Sequence, residues 1–172
     1  LQRRRGQVSW TLQPAARAPL VPVASGGYVL ALPDGRLLFG ASNDDTAEPA
    51  LREVDHVGNR ARAAALLGDS VLLQDGEALG GRVGWRATTA DRLPLIGPAP
   101  DLDAARPARA DAARMQPRLA GLWLHTGLGS RGLTTAPLGA ELIAAQISGA
   151  PWPLEADLAD AIDPARWMLR RT

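Results

Sequence analysis

The chain has 172 residues, 46% of them hydrophobic and 22% charged, which excludes disordered and fibrous classes and fits a globular body able to bury roughly 70% of its unfolded surface. It has no cysteine, which excludes disulfides and thiolate metal sites, and 19 basic against 18 acidic residues leave a net charge of +1, too small to attract polyanions by overall field. Every basic residue is arginine, so lysine Schiff-base and P-loop chemistry are excluded too.

With only 5 Trp, 1 Tyr and 1 Phe, the core must be built largely from Leu, Val and Ala. No apolar run of about 18 residues and no signal-peptide pattern is present, which leads us to expect a cytoplasmic protein. Residue 1 is Leu and the chain enters a strand pattern almost at once, so it reads as cut from something larger.

In chain order, Val8, Trp10 and Leu12 alternate with Gln7, Ser9 and Thr11, the period of a half-buried strand. Strands over 28–32 and 36–41 flank Pro33-Asp34-Gly35, which predicts a hairpin. A helix is expected over about 50–67, with Leu51, Val54, Ala61, Ala65 and Leu66 on its apolar face and Arg52, Arg60 and Arg62 facing solvent. Strands are expected over 70–74 and 79–88, then an extended proline-punctuated stretch over 91–100. Residues 101–118 read as a surface excursion. A short strand over 121–126 runs into a glycine-rich turn, and a helix over 136–148 follows, with Pro137 in its first turn and Leu138, Leu142, Ile143 and Ile147 as its stripe. A turn-and-helix piece closes the chain from residue 151.

Two constellations carry chemistry. Gly127, Gly129 and Gly132 form a G-x-G-x-x-G turn between strand and helix. The helix is not followed by a second strand ending in an acid, so this is not the first half of a dinucleotide-binding unit. Either its backbone approaches a ligand at the positive end of a helix, or it is a tight turn with no ligand. The second lies on the strand over 79–88, where Arg82, Gly84 and Arg86 share one face. A partly covered arginine there suits a carboxylate, although structural ion pairs make the same use of arginine.

The runs Arg5-Gly-Gln7, Gly27-Tyr28, Phe39-Gly-Ala-Ser42, Arg86-Ala-Thr-Thr-Ala-Asp-Arg-Leu-Pro-Leu-Ile-Gly97 and Thr126-Gly-Leu-Gly-Ser-Arg-Gly-Leu-Thr-Thr-Ala-Pro137 occur in this order. Together they resemble the glycine-oxidase and D-amino-acid-oxidase family of FAD enzymes over nearly the whole chain. The runs after Asp91 and after Gly129, with the tail over 154–166, resemble most the tRNA-modifying branch, whose oxidoreductase half is joined to a methyltransferase. The resemblance implies an α+β fold: a mixed, mostly antiparallel substrate-domain sheet with one helix over 1–90, and over 91–172 a strand-helix segment returning to a truncated Rossmann-like FAD domain.

It further implies oxidation of a secondary amine, with an imine that water hydrolyses. In the tRNA-modifying branch the substrate is the carboxymethylaminomethyl group on the wobble uridine of tRNA. Glyoxylate leaves and aminomethyluridine remains, which the methyltransferase domain of the full-length chain then methylates. The alternatives are an oxidase of free glycine or D-amino acids and a non-catalytic binding module of the same fold. By position in the motifs, Arg86 and Arg131 are the expected carboxylate-binding arginines and converge on one anionic pocket, with Tyr28 lining it. Gly127, Leu128, Gly129, Ser130, Gly132 and Leu133 are the expected FAD contacts, and no acid-base residue is required because the flavin carries the electron chemistry. The unit that holds the ADP half of FAD is missing, so this chain alone is expected neither to retain FAD nor to turn over.

Other signals are weaker. His56 and His125, the only histidines, are far apart and lack a carboxylate at ligand spacing, so no metal site is expected. Ser130 is not a nucleophile elbow, because position 128 is Leu. Arg3, Arg4 and Arg5, then Arg106, Arg109, Arg114 and Arg118, then Arg166, Arg170 and Arg171 read either as tRNA phosphate contacts or as solvated faces.

Overall fold

The computed structural model describes residues 1–12, 14–15, 18–68, 78–105, 107 and 111–169. The chain divides into two compact units, one of residues 3–85 and the other of residues 1–2 with 86–172. The strand expected over 70–74 lies outside the described residues.

The unit of residues 3–85 is built on a five-stranded sheet in the order β2-β3-β4-β1-β5. Its strands are β1 (Gln2–Thr11), β2 (Val23–Ala24), β3 (Tyr28–Ala31), β4 (Leu37–Gly40) and β5 (Leu79–Thr88). β3 and β4 form the expected hairpin, antiparallel with Val29 opposite Phe39 and Ala31 opposite Leu37. Asp34 organises its turn, accepting from the Arg36 backbone N–H at 3.1 Å and from Arg36 Nε at 2.8 Å. β1 then pairs antiparallel with β4, setting Val8 opposite Gly40 and Trp10 opposite Leu38.

Helix α1 (Glu53–Leu67) covers one face of this sheet, and the face it covers differs from the expected one. Arg5, Gln7, Ser9 and Thr11 are fully or almost fully buried under it, while Val8 and Trp10 are only half-buried. The helix is turned accordingly: Asp55, His56, Asn59, Arg60 and Ala63 are its buried residues, whereas Val54 is 70% and Leu51 48% exposed. The reason is that the polar groups of β1 and α1 complete one another, so that burying them leaves few donors or acceptors unmade. The Arg5 guanidinium donates to Asp55 Oδ2 at 2.7 Å and to the carbonyls of Glu48 and Ala50 at 2.7 Å each. Gln7 exchanges two hydrogen bonds with the backbone of Arg52, at 2.8 and 2.9 Å. Ser9 Oγ lies 2.8 Å from His56 Nδ1 and accepts from Asn59 Nδ2 at 2.9 Å. Neither Arg60, which is buried, nor Arg52, which pairs with Asp44 and Asp55, is the free solvated arginine expected from the pattern. Further along α1 the contact becomes apolar, with Ala63, Leu66 and Leu67 against Val29, Leu37 and Phe39.

In the unit of residues 1–2 and 86–172, β6 (Leu95–Pro100) and β7 (Arg118–Thr126) form a two-stranded antiparallel ladder with Ile96 opposite His125 and Pro98 opposite Trp123. Helix α2 (Gly132–Ser148) packs on it, burying Gly139, Leu142 and Ala145. This differs from the expected stripe, since Ile147 is 62% exposed. Gly139 sets the approach: a Cβ there would stand 2.6 Å from Ile96 Cδ1 and 2.7 Å from His125 Nε2. Ile96, Leu142 and Ala159 of helix α3 (Ala156–Ile162) make the core. Residues 101–118 are more than a surface excursion, because the 3-10 turn Ala113–Met115 seats Ala113 against Ala165 and Met168 of the last segment, which includes helix α4 (Arg166–Leu169). Arg118 locks it there, making a two-pronged pair with Asp163 at 2.9 and 2.8 Å and donating to the carbonyls of Pro98 and Ala113.

Removing the carboxylate from the buried Arg5–Asp55 pair strands a charge in the interior. D55A is therefore expected to lower the unfolding free energy in urea by about 3–5 kcal/mol; a loss below 1 kcal/mol would show that the pair is not a determinant of this unit. Acid should have a parallel effect. Burial pushes the Asp55 carboxyl up, but the hydrogen bonds from Arg52 and Arg5 outweigh it, and Arg166 holds Asp91 well below the usual range, so both lie under the free value of 3.8. The stabilisation they contribute is complete above that pH and is lost as pH falls through their lowered folded-state values. Stability measured by urea unfolding should be level near neutrality and fall below about pH 4, less steeply in D91N.

Candidate functional site

The glycine-rich turn follows β7 directly. Gly127 is buried with φ +71°, and a Cβ on it would meet Thr89 Cγ2 at 3.3 Å and Leu1 Cδ2 at 3.4 Å. Gly129 has φ +58°, a left-handed conformation that side chains resist. Its N–H donates to Ala87 O at 3.0 Å, which ties the turn to the strand end next to Arg86. The Arg131 N–H closes the turn onto Leu128 O at 3.1 Å.

Helix α2 starts at Gly132, not at residue 136 as the proline suggested. The cause is local: the Arg131 carbonyl accepts the N–H groups of Thr134 and Thr135 at 3.1 and 3.0 Å and both of their hydroxyls at 2.9 and 2.8 Å. Pro137 sits inside the second turn, where its missing N–H removes a single bond. The helix therefore opens straight from the glycine turn. Its first N–H groups, on Gly132 and Leu133, precede any intrahelical acceptor, and Leu133 is 98% exposed.

Arg131 is exposed at this helix start, and its Nη2 donates to Arg92 O at 3.0 Å. Arg92 is the one non-glycine residue in the left-handed region among the described residues, with φ 61°. Asp91 holds that turn: it accepts from Leu93 N–H at 3.1 Å, and both its oxygens receive Arg166, at 3.0 and 3.1 Å. Arg166 also donates to Leu93 O at 2.9 Å and is buried, so it is neither a tRNA contact nor a solvated residue. Neither partner's role has a signal in the sequence, because 75 residues separate them.

Arg86 is half-buried on β5, in the same unit as the glycine turn and Arg131. Tyr28, on β3, belongs to the other unit. It lies opposite Gly40 in the ladder and alternates with the buried Val29, which puts it on the sheet face away from α1. Ser130 is exposed and Leu128 packs against the core of Ile96 and Leu142.

Several other arginines among the described residues are held in contacts within the fold. Arg5 and Arg118 are held in the internal pairs given above, Arg4 pairs with Asp45 and Arg114 with Asp160, and Arg3 stacks 5.6 Å over Trp85. Arg106, Arg109, Arg170 and Arg171 lie outside the described residues. Among the described residues no group of three or more His, Asp or Glu side chains is placed to hold a metal ion, and no helix is long and apolar enough to cross a membrane.

The chain is 51% identical to the tRNA 5-methylaminomethyl-2-thiouridine biosynthesis bifunctional protein MnmC of Methylibium petroleiphilum, over 97% of this chain and 29% of that protein. It is 51% identical to the protein of the same name from Burkholderia thailandensis, over 98% of this chain and 27% of that one. The chain thus spans under a third of the length of these relatives. Among solved structures it resembles iminodiacetate oxidase from Chelativorans sp. BNC1, with TM-score 0.69 and 24% identity over 94% of this chain and 39% of that one. Glycine oxidase from Geobacillus kaustophilus has TM-score 0.68 and 21% identity over 94% of this chain and 38% of that one. These two establish the α+β fold of D-amino-acid-oxidase type. Residues 1–146 match the DAO family of FAD dependent oxidoreductases, and the chain belongs to that family.

Proposed function

We propose that this chain is the substrate-side part of a cytoplasmic flavoenzyme that oxidises the carboxymethylaminomethyl group on the wobble uridine of tRNA. Glyoxylate is released and aminomethyluridine remains, which a methyltransferase domain of the same full-length protein methylates. The observation that carries this reading is the 51% identity, along 97% of the chain, to a protein named for tRNA 5-methylaminomethyl-2-thiouridine biosynthesis. Oxidation of free glycine has weaker support, since the oxidases of small amino acids are matched at under 25% identity, and a non-catalytic module has none of its own.

The residues present fit a flavin. The turn at 127–132 has no side chain to block a close approach at Gly129, whose left-handed backbone accepts only glycine without strain. It feeds a helix start whose leading N–H groups have no intrahelical acceptor, a setting that favours an electron-rich ring edge. When bound, FAD supplies the hydride acceptor for the carbon next to the substrate nitrogen. Binding the carboxylate of the N-linked glycine falls to Arg86 and Arg131. Arg131 is oriented by the Arg92 carbonyl and keeps its remaining guanidinium N–H groups without a partner among the described residues, as a receptor for a carboxylate requires. Holding the substrate by this handle places the reacting carbon at a fixed distance from the flavin, which converts a bimolecular encounter into an oriented one. By its position in the family motif, Tyr28 is proposed as a further contact to the substrate.

In the full-length enzyme, R86Q and R131Q are each expected to lower kcat/KM for tRNA about 10–100-fold, the weight of a charge-assisted contact, with flavin content unchanged. Anaerobic flavin reduction followed at 450 nm on the order of milliseconds to seconds reads this directly, and wild-type rates in both variants would remove the carboxylate role. G129A should destabilise the turn by about 1–2 kcal/mol and lower the flavin retained after gel filtration. The isolated 172-residue chain, mixed with excess FAD and desalted, should keep no stoichiometric flavin absorbance; retained flavin would show that these residues suffice to bind it.

A further inference from the structure

A polar cavity of about 400 Å³ lies in the unit of residues 3–85, lined by the loop after β4 and by residues of α1. Its walls include Ser42, Asn43, Asp44, Asp55, Gly58 and Arg62. The two carboxylates are already spent. Asp55 receives Arg5 Nη1 at 2.7 Å, and Arg52 Nε and Nη2 at 2.8 and 3.0 Å. Asp44 receives Arg52 and two donors of Thr46. Arg62 differs from these arginines. Its Nη2 donates to the neutral Asn59 Oδ1 at 2.6 Å, its Nε is buried with no acceptor, and no carboxylate pairs with it among the described residues. Gly58, one turn before it, leaves the guanidinium uncovered, since even a Cβ there would stay 3.6 Å from Nη1. Three guanidinium groups against two carboxylates leave the cavity one positive charge, and the Asn43 amide at the rim has no partner among the described residues.

A polar concavity with an unneutralised arginine and an adjacent amide has the chemistry of a receptor for a phosphate and its sugar hydroxyls. We propose that this cavity receives a backbone phosphate and ribose of the RNA substrate, with Arg62 on the phosphate and Asn43 on the ribose. The proposal rests on the tRNA reading above. It assigns part of the RNA affinity to residues other than Arg86 and Arg131, and to a site that the arginine runs in the sequence did not indicate.

The test uses the full-length flavoenzyme, with tRNA affinity measured by filter binding from 50 to 200 mM salt on wild type, R62Q, R62K and N43D. R62Q should weaken binding about 10-fold and reduce the slope of log affinity against log salt by about 0.7–0.9, the signature of one lost phosphate contact. R62K should keep most of that slope. N43D, which adds a negative charge at an exposed rim position, should weaken binding without any packing change, so the test survives a misfolded R62Q. Flavin content and kcat at saturating tRNA should be those of wild type. Unchanged affinity in R62Q and N43D, or weakening with an unchanged salt slope, overturns the proposal. If wild type neither binds nor oxidises tRNA, the functional reading fails by itself. A titration with uridine 5′-monophosphate then decides the cavity: binding that R62Q abolishes sustains a nucleotide site, and no binding overturns it.

Discussion

The unit of residues 3–85 depends on one buried ion pair. The Arg5 guanidinium, wholly enclosed, is neutralised by Asp55 and also satisfies two backbone carbonyls that approach α1. A charge in that position is tolerable only if every donor finds an acceptor, so the pair fixes much around it. The loop over 42–50 must bring its carbonyls to Arg5, α1 must start where Asp55 can reach, and Gln7 must turn toward the Arg52 backbone. The apolar cluster of Val29, Leu37, Phe39 and Ala63 then fills what the polar seam leaves. Hydrophobic burial supplies most of the driving force, while the polar seam selects one arrangement of helix on sheet.

The other unit repeats this use of arginine. Arg166 holds the Asp91 turn, and Arg118 holds Asp163. The Asp91 turn carries the Arg92 carbonyl that receives Arg131. A structural pair thereby reaches the exposed Arg131, proposed above as a carboxylate receptor, through a single turn. Because all 19 basic residues are arginine, the chain relies on one side chain for two tasks. Planar five-donor geometry serves the first as a multi-carbonyl clamp in the interior, and suits the second, proposed above, as a carboxylate or phosphate fork at the surface. What separates the two is the local supply of carboxylates. Arg5, Arg118 and Arg166 have their own, while among the described residues Arg62 and Arg131 are bound only to neutral oxygens.

The glycine turn joins the cofactor and substrate sides of the proposed reaction. Its N–H on Ala87 O fixes it to the strand that carries Arg86, and its last residue opens α2. A shift in the turn would therefore move the helix start and the Arg131 side chain together. This coupling explains why small residues and threonines dominate the run: the glycines permit the backbone path, and the threonine hydroxyls saturate the Arg131 carbonyl.

Local chemistry in the sequence was enough for the β3–β4 hairpin, whose Pro-Asp-Gly turn specifies its own geometry, for the existence of α1 and α2, and for the glycine turn between β7 and α2. The family was legible because its motifs are short runs whose order survives without the fold. The buried face of β1 was not. An alternation of polar and apolar residues fixes the period, but which set faces inward depends on whether a distant helix brings matching donors and acceptors, and Asp55, His56 and Asn59 lie about fifty positions away. The start of α2 was set by hydroxyl bonds to a carbonyl that no propensity records. Which arginines are held in internal pairs was likewise decided only in three dimensions, because the carboxylates beside them are brought in by the tertiary fold.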